Sequence, residues 1–168
     1  MKQDIIHVGG GNTKLIMEVW KKHGVDRIMK KAWNSGIILT GMSAGAICWF
    51  NDGITNPDPG VLTRLPCIGL LKGSFCPHYD ERAELRHAYK KLISEKTIAE
   101  GYGAEDGVAL HFVDSELIRI VTSRPGASAF KVCLHKNKVV EERLESEYLG
   151  KDSERDSRNF DEGKLDVL

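Results

Sequence analysis

A serine with glycine two residues away on either side lies in the first third of the chain, in Gly41-Met42-Ser43-Ala44-Gly45. The pattern G-x-S-x-G is typical of a tight strand-to-helix turn that exposes a nucleophilic serine at the edge of a sheet. Residues 37–39 before it are apolar, as in a buried strand, and residues 46–50 after it have the composition of a helix. A plain turn of small residues is the alternative, but the flanking strand and helix favour a nucleophile at Ser43.

A serine hydroxyl is a weak nucleophile at neutral pH and needs a base, which is most often a histidine oriented by a carboxylate. Among the six histidines, His78 stands apart because it follows an apolar run and Pro77, in a loop with Tyr79 and Asp80. The other five lie in strands, on polar helix faces or in a turn, where structural or solvated roles are expected. We therefore predict that His78 is the base.

The third member of such a triad is not selected by the residues alone. Five acidic side chains fall in predicted loops that could face the same sheet edge: Asp52, Asp58, Asp80, Glu105 and Asp106.

Three consecutive glycines, Gly9 to Gly11, separate a short apolar strand from an amphipathic helix that Asn12 or Thr13 would cap. They have neither the G-x-G-x-x-G spacing nor a following G-K-[ST], so a nucleotide-binding loop is the weaker interpretation. If this strand and the one before Ser43 are parallel neighbours, their carboxyl ends meet at one edge. The glycine backbone would then approach Ser43, and one of its N–H groups could donate to an oxyanion.

Three ordered motifs together resemble the peptidase E family, which includes the cyanophycinases. They are Val8-Gly9-Gly10-Gly11-Asn12-Thr13, Gly41-Met42-Ser43-Ala44-Gly45-Ala46 and Cys76-Pro77-His78-Tyr79. The resemblance covers about residues 4–149. It implies a flavodoxin-like α/β/α sandwich with a mostly parallel sheet, related to class I glutamine amidotransferases but with serine in place of their cysteine. It also implies a serine peptidase, free of metal and cofactor, that splits dipeptides, typically after an N-terminal aspartate.

The same resemblance implies roles for individual residues. Ser43 matches the nucleophile of the family and His78 its base, while the N–H groups of Gly11 and Ala44 match the oxyanion hole. The acid lies downstream of the serine, at a position that corresponds most closely to Asp58, with Asp52 as a rival.

Substrate-binding residues follow from the resemblance as well. An arginine after the family histidine binds the substrate carboxylate, and Arg82 or Arg86 could do so here through a bidentate contact. A solvated helix face is the alternative for both arginines. Asn12 is a further candidate for contact with the substrate.

Composition limits the remaining possibilities. With 168 residues, 41% apolar and 29% charged, the chain has the size and composition of one soluble globular domain. A formal net charge of zero argues against nucleic acid or an anionic membrane as a partner. Four cysteines without a C-x-x-C pair predict buried free thiols in a reducing compartment. Because no apolar run reaches membrane-spanning length and no signal peptide precedes the first strand, we expect a cytoplasmic protein.

The periodicity of apolar residues predicts the elements that position these groups. Helices are expected after the glycine run and over about 26–33 and 81–95, and strands over 5–8, 37–39, 98–102, 107–113, 116–122, 129–134 and 139–143. Residues 51–66 are predicted to be loop, with a short strand near Ile54 and Thr55. One domain would cover residues 1–149, followed by a charged, disordered tail over 150–168.

Members of the peptidase E family carry further βα units before the glycine-rich segment. A parallel sheet without those strands would expose an edge and an apolar face. We therefore expect either a shortened protein or fragment, or self-association as a homodimer. The expected ligand is a small peptide. The alternatives to a peptidase are a catalytically impaired homologue that acts as a scaffold or binding protein, and an esterase or amidase that uses the same turn.

Overall fold

The computed structural model describes residues 2–58, 61–81 and 83–150. The helices are α1 (Thr13–His23), α2 (Val25–Asn34), α3 (Ala44–Ile47) and α4 (Ala83–Ser94). The strands are β1 (Ile5–Val8), β2 (Ile38–Gly41), β3 (Phe50–Asp58), β4 (Val61–Pro66), β5 (Leu71–Cys76), β6 (Gly101–Ala104), β7 (Val108–Val113), β8 (Glu116–Thr122), β9 (Ala129–His135), β10 (Lys138–Leu144) and β11 (Glu147–Tyr148). All but the first residue of the predicted tail lie outside the described residues.

A mixed sheet with the strand order β10-β9-β6-β5-β3-β4 forms the centre of the fold. Its middle is parallel, because β5 pairs with β3 on one side and with β6 on the other. The connection from β5 to β6 runs through α4, as a parallel crossover requires. By contrast, β3 pairs with β4 and β9 with β10, and these pairs are antiparallel.

Helices cover both faces of this sheet. One apolar cluster packs α1, α2 and α3 against one face and includes Met17, Ile47 and Phe75. A second cluster packs α4 against the other face and includes Cys76 and Tyr89. The consecutive residues Phe75 and Cys76 of β5 thus point to opposite clusters, so the strand is buried on both sides. The predicted α/β class, with helices on both faces of a sheet, is confirmed.

The strands β1 and β2 form a separate parallel pair, in the register Ile6↔Leu39 and Val8↔Gly41. This confirms that the two strand–turn–helix units are neighbours. The side chain of Asn12 caps α1 by accepting a hydrogen bond from the N–H of Leu15 at 3.0 Å. Because β1 and β2 are parallel neighbours, their carboxyl ends bring the glycine run and the serine turn to the same edge.

The structure differs from the sequence prediction just after the serine turn. The helix predicted to continue to residue 50 ends at Ile47, and the predicted loop over 51–66 is the hairpin of β3 and β4. Pairing between strands outweighs local composition here. β3 forms backbone hydrogen bonds with β4 on one side and β5 on the other. Ile54 and Asp52 of β3 are buried.

All four cysteines lie among the described residues and are free thiols, with Cys48 and Cys76 buried. Burial raises the pKa of Cys48 and of Cys67 to about 12, so neither is a reactive thiolate near neutral pH. Within residues 2–58, 61–81 and 83–150, no helix has the length and apolar character needed to cross a membrane.

Candidate active site

Ser43 occupies the turn between β2 and α3. Its backbone has φ 52° and ψ −115°, a conformation that residues other than glycine rarely adopt. Such strain persists only where the surrounding structure enforces it. Here the N–H of Met42 donates to the carbonyl oxygen of Val8 at 3.0 Å, and the N–H of Ile47 donates to that of Ser43 at 3.1 Å. The turn is therefore tied both to β1 and to the first turn of α3.

The two glycines of the G-x-S-x-G motif are required by close backbone contacts. A Cβ atom at Gly45 would lie 2.2 Å from the carbonyl oxygen of Val8, and one at Gly41 would lie 2.4 Å from that of Gly45. No side chain fits at either distance. These contacts explain in physical terms why the sequence motif predicts the conformation of Ser43.

His78 follows β5 and is held in the left-handed region, with φ 57°. Its Nε2 lies 2.9 Å from Oγ of Ser43, although 35 residues separate the two in the chain. Both residues are half-buried, so a substrate can reach them. The structure thus brings together the two residues predicted as nucleophile and base.

The carboxylate that contacts His78 is Asp106, whose Oδ1 lies 2.7 Å from Nδ1. The strands explain this proximity, because β5 and β6 are parallel neighbours with Cys76 opposite Gly103. The loops that follow them, which carry His78 and Asp106, therefore leave the sheet side by side. A proton on Nδ1 shared with Asp106 leaves Nε2 free to accept the hydroxyl proton of Ser43.

The other candidate acids have different partners. Oδ1 of Asp52 accepts a hydrogen bond from Nε of Arg64 at 2.7 Å. Oε2 of Glu105 accepts one from the N–H of Ser128 at 2.8 Å. The side chain of Asp58, at the end of β3, is not among the described ones, so its assignment as the acid stays a prediction.

Sequence reasoning included Asp106 among the loop acids but did not select it. The signal that would have selected it is strand adjacency: the acid must follow the strand that lies beside the one preceding His78. That neighbour is β6, reached through α4. In an α/β sheet, the strand that follows a crossover helix is a reasonable first candidate for this position.

The glycine run lies against the serine turn, as predicted. A Cβ atom at Gly10 would lie 3.5 Å from Cβ of Ser43. Gly11 adopts φ 144°, which favours glycine, and a Cβ atom added there would meet nothing within 4 Å. Asn12, a predicted substrate contact, uses its side-chain oxygen to cap α1.

Arg86 on α4 is held in a half-buried polar cluster with Glu141 of β10. Its Nε donates to Oε1 of Glu141 at 2.8 Å, and its guanidinium lies over the ring of Tyr79 at 4.7 Å. Lys90 and the hydroxyl of Tyr79 also donate to Glu141. These contacts lend no support to substrate binding by Arg86, which stays a prediction. Arg82 lies outside the described residues.

The Glu141 cluster perturbs the ionisation of its members. Burial disfavours the charged form of Glu141, but hydrogen bonds from Arg86, Lys90 and Tyr79 outweigh it and lower its pKa to about 2. Burial and the hydrogen bond to Glu141 raise the pKa of Tyr79 well above its ordinary value. Tyr79, which adjoins His78, is therefore a fixed hydrogen-bond donor rather than an acid or base.

One group among the described residues has three side chains near enough to share a metal ion. Atoms of His78, Glu81 and Asp106 that could bind an ion lie within 4.8 Å of one another. Oε2 of Glu81 is 3.4 Å from Nδ1 of His78, farther than Oδ1 of Asp106. The hydrogen bond between His78 and Asp106 already accounts for the arrangement.

Comparison with known proteins shows which proteins this chain resembles. The chain is 47% identical over 150 residues to the uncharacterized peptidase YgaJ of Bacillus subtilis, covering 89% of this chain and 65% of that protein. It is 27% identical over 106 residues to the uncharacterized peptidase Lmo0363 of Listeria monocytogenes, covering 56% of this chain and 48% of that protein. The chain therefore spans less than two thirds of the length of either relative.

A crystal structure of a protein assigned to peptidase E from Listeria monocytogenes EGD-e aligns with a TM-score of 0.45 and 20% identity. The alignment covers 86% of this chain and 61% of that one. More directly, the sequence model of peptidase family S51 matches residues 1–120, which include the glycine run, the serine turn, His78 and Asp106. The chain belongs to peptidase family S51.

Proposed function

We propose that this chain is a serine peptidase domain in which Ser43 is the nucleophile, His78 the general base and Asp106 the acid. The observation that carries the proposal is the continuous pair of contacts, 2.9 Å from Ser43 Oγ to His78 Nε2 and 2.7 Å from His78 Nδ1 to Asp106 Oδ1. Asp106 takes the role that the family resemblance gives to Asp58, because Asp106 contacts the base.

The contacts support the following sequence of steps. His78 Nε2 takes the proton of Ser43 Oγ as the oxygen attacks the peptide carbonyl carbon, and the carbonyl π electrons move to its oxygen. When the tetrahedral intermediate collapses, the C–N bond breaks and His78 returns the proton to the leaving amine. Water then attacks the acyl-serine ester with His78 again as base, which releases the acid and restores Ser43.

The oxyanion would be stabilised by backbone N–H groups. Ala44 is the first residue of α3, so its N–H has no partner within that helix. Gly11 belongs to the run that packs beside Ser43. We assign these two N–H groups to the oxyanion hole, where a missing donor costs about 10²–10³-fold in kcat.

The proposed substrates are small peptides, with dipeptides that begin with aspartate as the first to test. This choice follows from the resemblance to peptidase E rather than from a described pocket. An esterase or amidase would use the same three side chains, so the substrate panel must contain esters and amides beside dipeptides.

Covalent labelling of Ser43 tests the proposal most directly. A fluorophosphonate should modify the 168-residue chain at Ser43, as located by peptide mass spectrometry, and the label should be absent from Ser43→Ala. Hydrolysis of the preferred substrate should fall about 10³-fold or more in the same variant. The matched control is Ser35→Ala, because Ser35 is exposed and its hydroxyl donates to the carbonyl oxygen of Lys31, away from the site.

Two outcomes would contradict the proposal. One is a folded chain that neither reacts with the phosphonate nor hydrolyses any member of the panel, which would favour a non-catalytic homologue. The other is hydrolysis that survives unchanged in Ser43→Ala, which would place the chemistry elsewhere.

A further inference from the structure

Asp80 lies beside the proposed catalytic groups but does not contact His78. Its Oδ1 accepts a hydrogen bond from the backbone N–H of Asp106 at 2.9 Å, and its Oδ2 accepts one from Nη2 of Arg124. We infer that Asp80 is a positioning residue that fixes the loop of Asp106, and that Arg124 fixes Asp80. This inference rests on the proposed role of Asp106.

The loop that carries Asp106 needs such a support. Asp106 lies two residues beyond β6, and its carboxylate is 39% exposed, with His78 as its contact among the described residues. Glu105 is tied to Ser128 through backbone and side chain. The backbone of Asp106 itself is tied by Asp80. Without the bond from Asp80, the position of the Asp106 carboxylate would depend on its hydrogen bond to His78 alone, although its proposed role is to orient His78.

Asp80 can serve both loops because it sits in the loop of the base. The N–H of Tyr79 donates to the carbonyl oxygen of Ala104 at 3.0 Å, and the next residue, Asp80, accepts from the N–H of Asp106, two residues beyond Ala104. The loops after β5 and β6 are thereby joined at two points, one through Tyr79 and one through Asp80. The distance between His78 and Asp106 is set by these links as well as by the two side chains.

The ion pair with Arg124 stabilises the charge of Asp80 and fixes its orientation. Burial works against the charged form, but the N–H of Asp106 and the guanidinium of Arg124 outweigh it and lower the pKa of Asp80. Arg124 lies in the turn between β8 and β9, so the pair also connects the site to a third segment. A charged acceptor makes a stronger hydrogen bond to a backbone N–H than a neutral one.

The alternative is an ordinary surface ion pair with no effect on the site, and a set of variants separates the two. We expect Asp80→Ala to lower kcat by up to about 100-fold with little change in KM, since a displacement of about 1 Å costs that much. Asp80→Asn should recover much of this loss, because its amide oxygen can still accept from Asp106. The matched control is Glu147→Gln, which removes an equally close but exposed pair with Arg119 and should leave kcat unchanged.

A double variant gives the decisive comparison. If Asp80 acts only through Asp106, Asp80→Ala combined with Asp106→Ala should be no slower than Asp106→Ala alone. Losses that multiply in the double variant would overturn the inference, as would an unchanged kcat in Asp80→Ala.

Failure of the inference can be told from failure of the proposed function by a measurement without substrate. Amide hydrogen exchange at Asp106 should accelerate about tenfold or more in Asp80→Ala and stay unchanged in Glu147→Gln. An inert wild-type chain with this acceleration would reject the peptidase proposal and keep the positioning role. Unchanged exchange would reject the positioning role, whatever the activity.

Discussion

The two halves of the site are built in different ways. The serine half is shaped by backbone atoms, because a Cβ atom added at Gly41 or Gly45 would lie only 2.4 or 2.2 Å from a carbonyl oxygen. The histidine half is shaped by side chains, with Asp106 against His78 and Asp80 against the backbone of Asp106. The serine half depends on the absence of side chains at two glycines, and the histidine half depends on side chains that form hydrogen bonds.

This difference decides what each half tolerates. A backbone contact at close range allows no substitution, so Gly41 and Gly45 of the serine half should respond to added atoms with loss of folding. A hydrogen-bonded network can lose one member and still fold, so the histidine half should respond with loss of rate.

The largest expected effect is that of Gly45→Ala. The added methyl group would lie 2.2 Å from the oxygen of Val8 and 2.7 Å from that of Gly9, and neither backbone atom can move without breaking the contact of β1 with the turn. We expect the free energy of unfolding to fall by about 4 kcal/mol or more, measured by chemical denaturation. The control is Gly9→Ala, where a Cβ atom meets nothing within 4 Å. Equal stability of the two variants would refute the backbone account.

The next effect is on rate. Asp106→Asn should keep the fold but lower kcat/KM by about 10²–10⁴-fold, because a neutral amide no longer stabilises the imidazolium and its NH₂ can donate to Nδ1, which favours the wrong tautomer of His78. Glu81→Gln is the matched control, since Glu81 lies 3.4 Å from the same nitrogen of His78 and should change the rate only a few-fold. A comparable loss in both variants would show that the two carboxylates share the role.

The same difference explains how far the sequence could predict the site. The serine turn is formed by neighbouring residues, so Gly41, Ser43 and Gly45 can be recognised within five residues of sequence. The contact between His78 and Asp106 spans 28 residues and depends on which strands are neighbours, which no local pattern specifies.

The fold shows the same limit. The strands of β8 and of the β9–β10 hairpin follow the predicted ranges closely because their apolar residues alternate between turn signals. Of the hairpin of β3 and β4, only a short strand near Ile54 and Thr55 is predicted, because the rest of its sequence is rich in turn residues and its order comes from pairing with β5. Where long-range pairing competes with local composition, composition misleads.

A smaller and pH-dependent effect is expected at Glu141, in the separate cluster with Tyr79, Arg86 and Lys90. Its folded pKa of about 2 lies below its ordinary value of 4.5, so the stability it contributes is present above pH 4.5 and is lost as the pH falls toward 2. Glu141→Gln should therefore be less stable by about 2 kcal/mol near neutral pH, since Arg86 and Lys90 lose their anionic partner. Thermal unfolding at several pH values measures both effects.

The difference in stability between the wild type and Glu141→Gln should shrink as the pH approaches 2, because the wild-type carboxylate is then protonated as well. Glu142→Gln is the control, on the next and exposed position of β10. A difference that stays constant across this range would show that Glu141 stabilises the fold by packing rather than by charge.

The smallest expected effect returns to the serine half. At Gly10 an added Cβ would lie 3.5 Å from Cβ of Ser43, which is ordinary contact. Gly10→Ala should therefore change the free energy of unfolding by no more than about 0.5 kcal/mol. Gly11→Ala should cost about 1–3 kcal/mol although its surroundings are open, because a φ of 144° strains any residue with a side chain. Chemical denaturation of the two variants compares the cost of contact with the cost of backbone strain. A larger loss of unfolding free energy for Gly10→Ala would mean that contact with Ser43, not backbone conformation, decides which substitutions this loop tolerates.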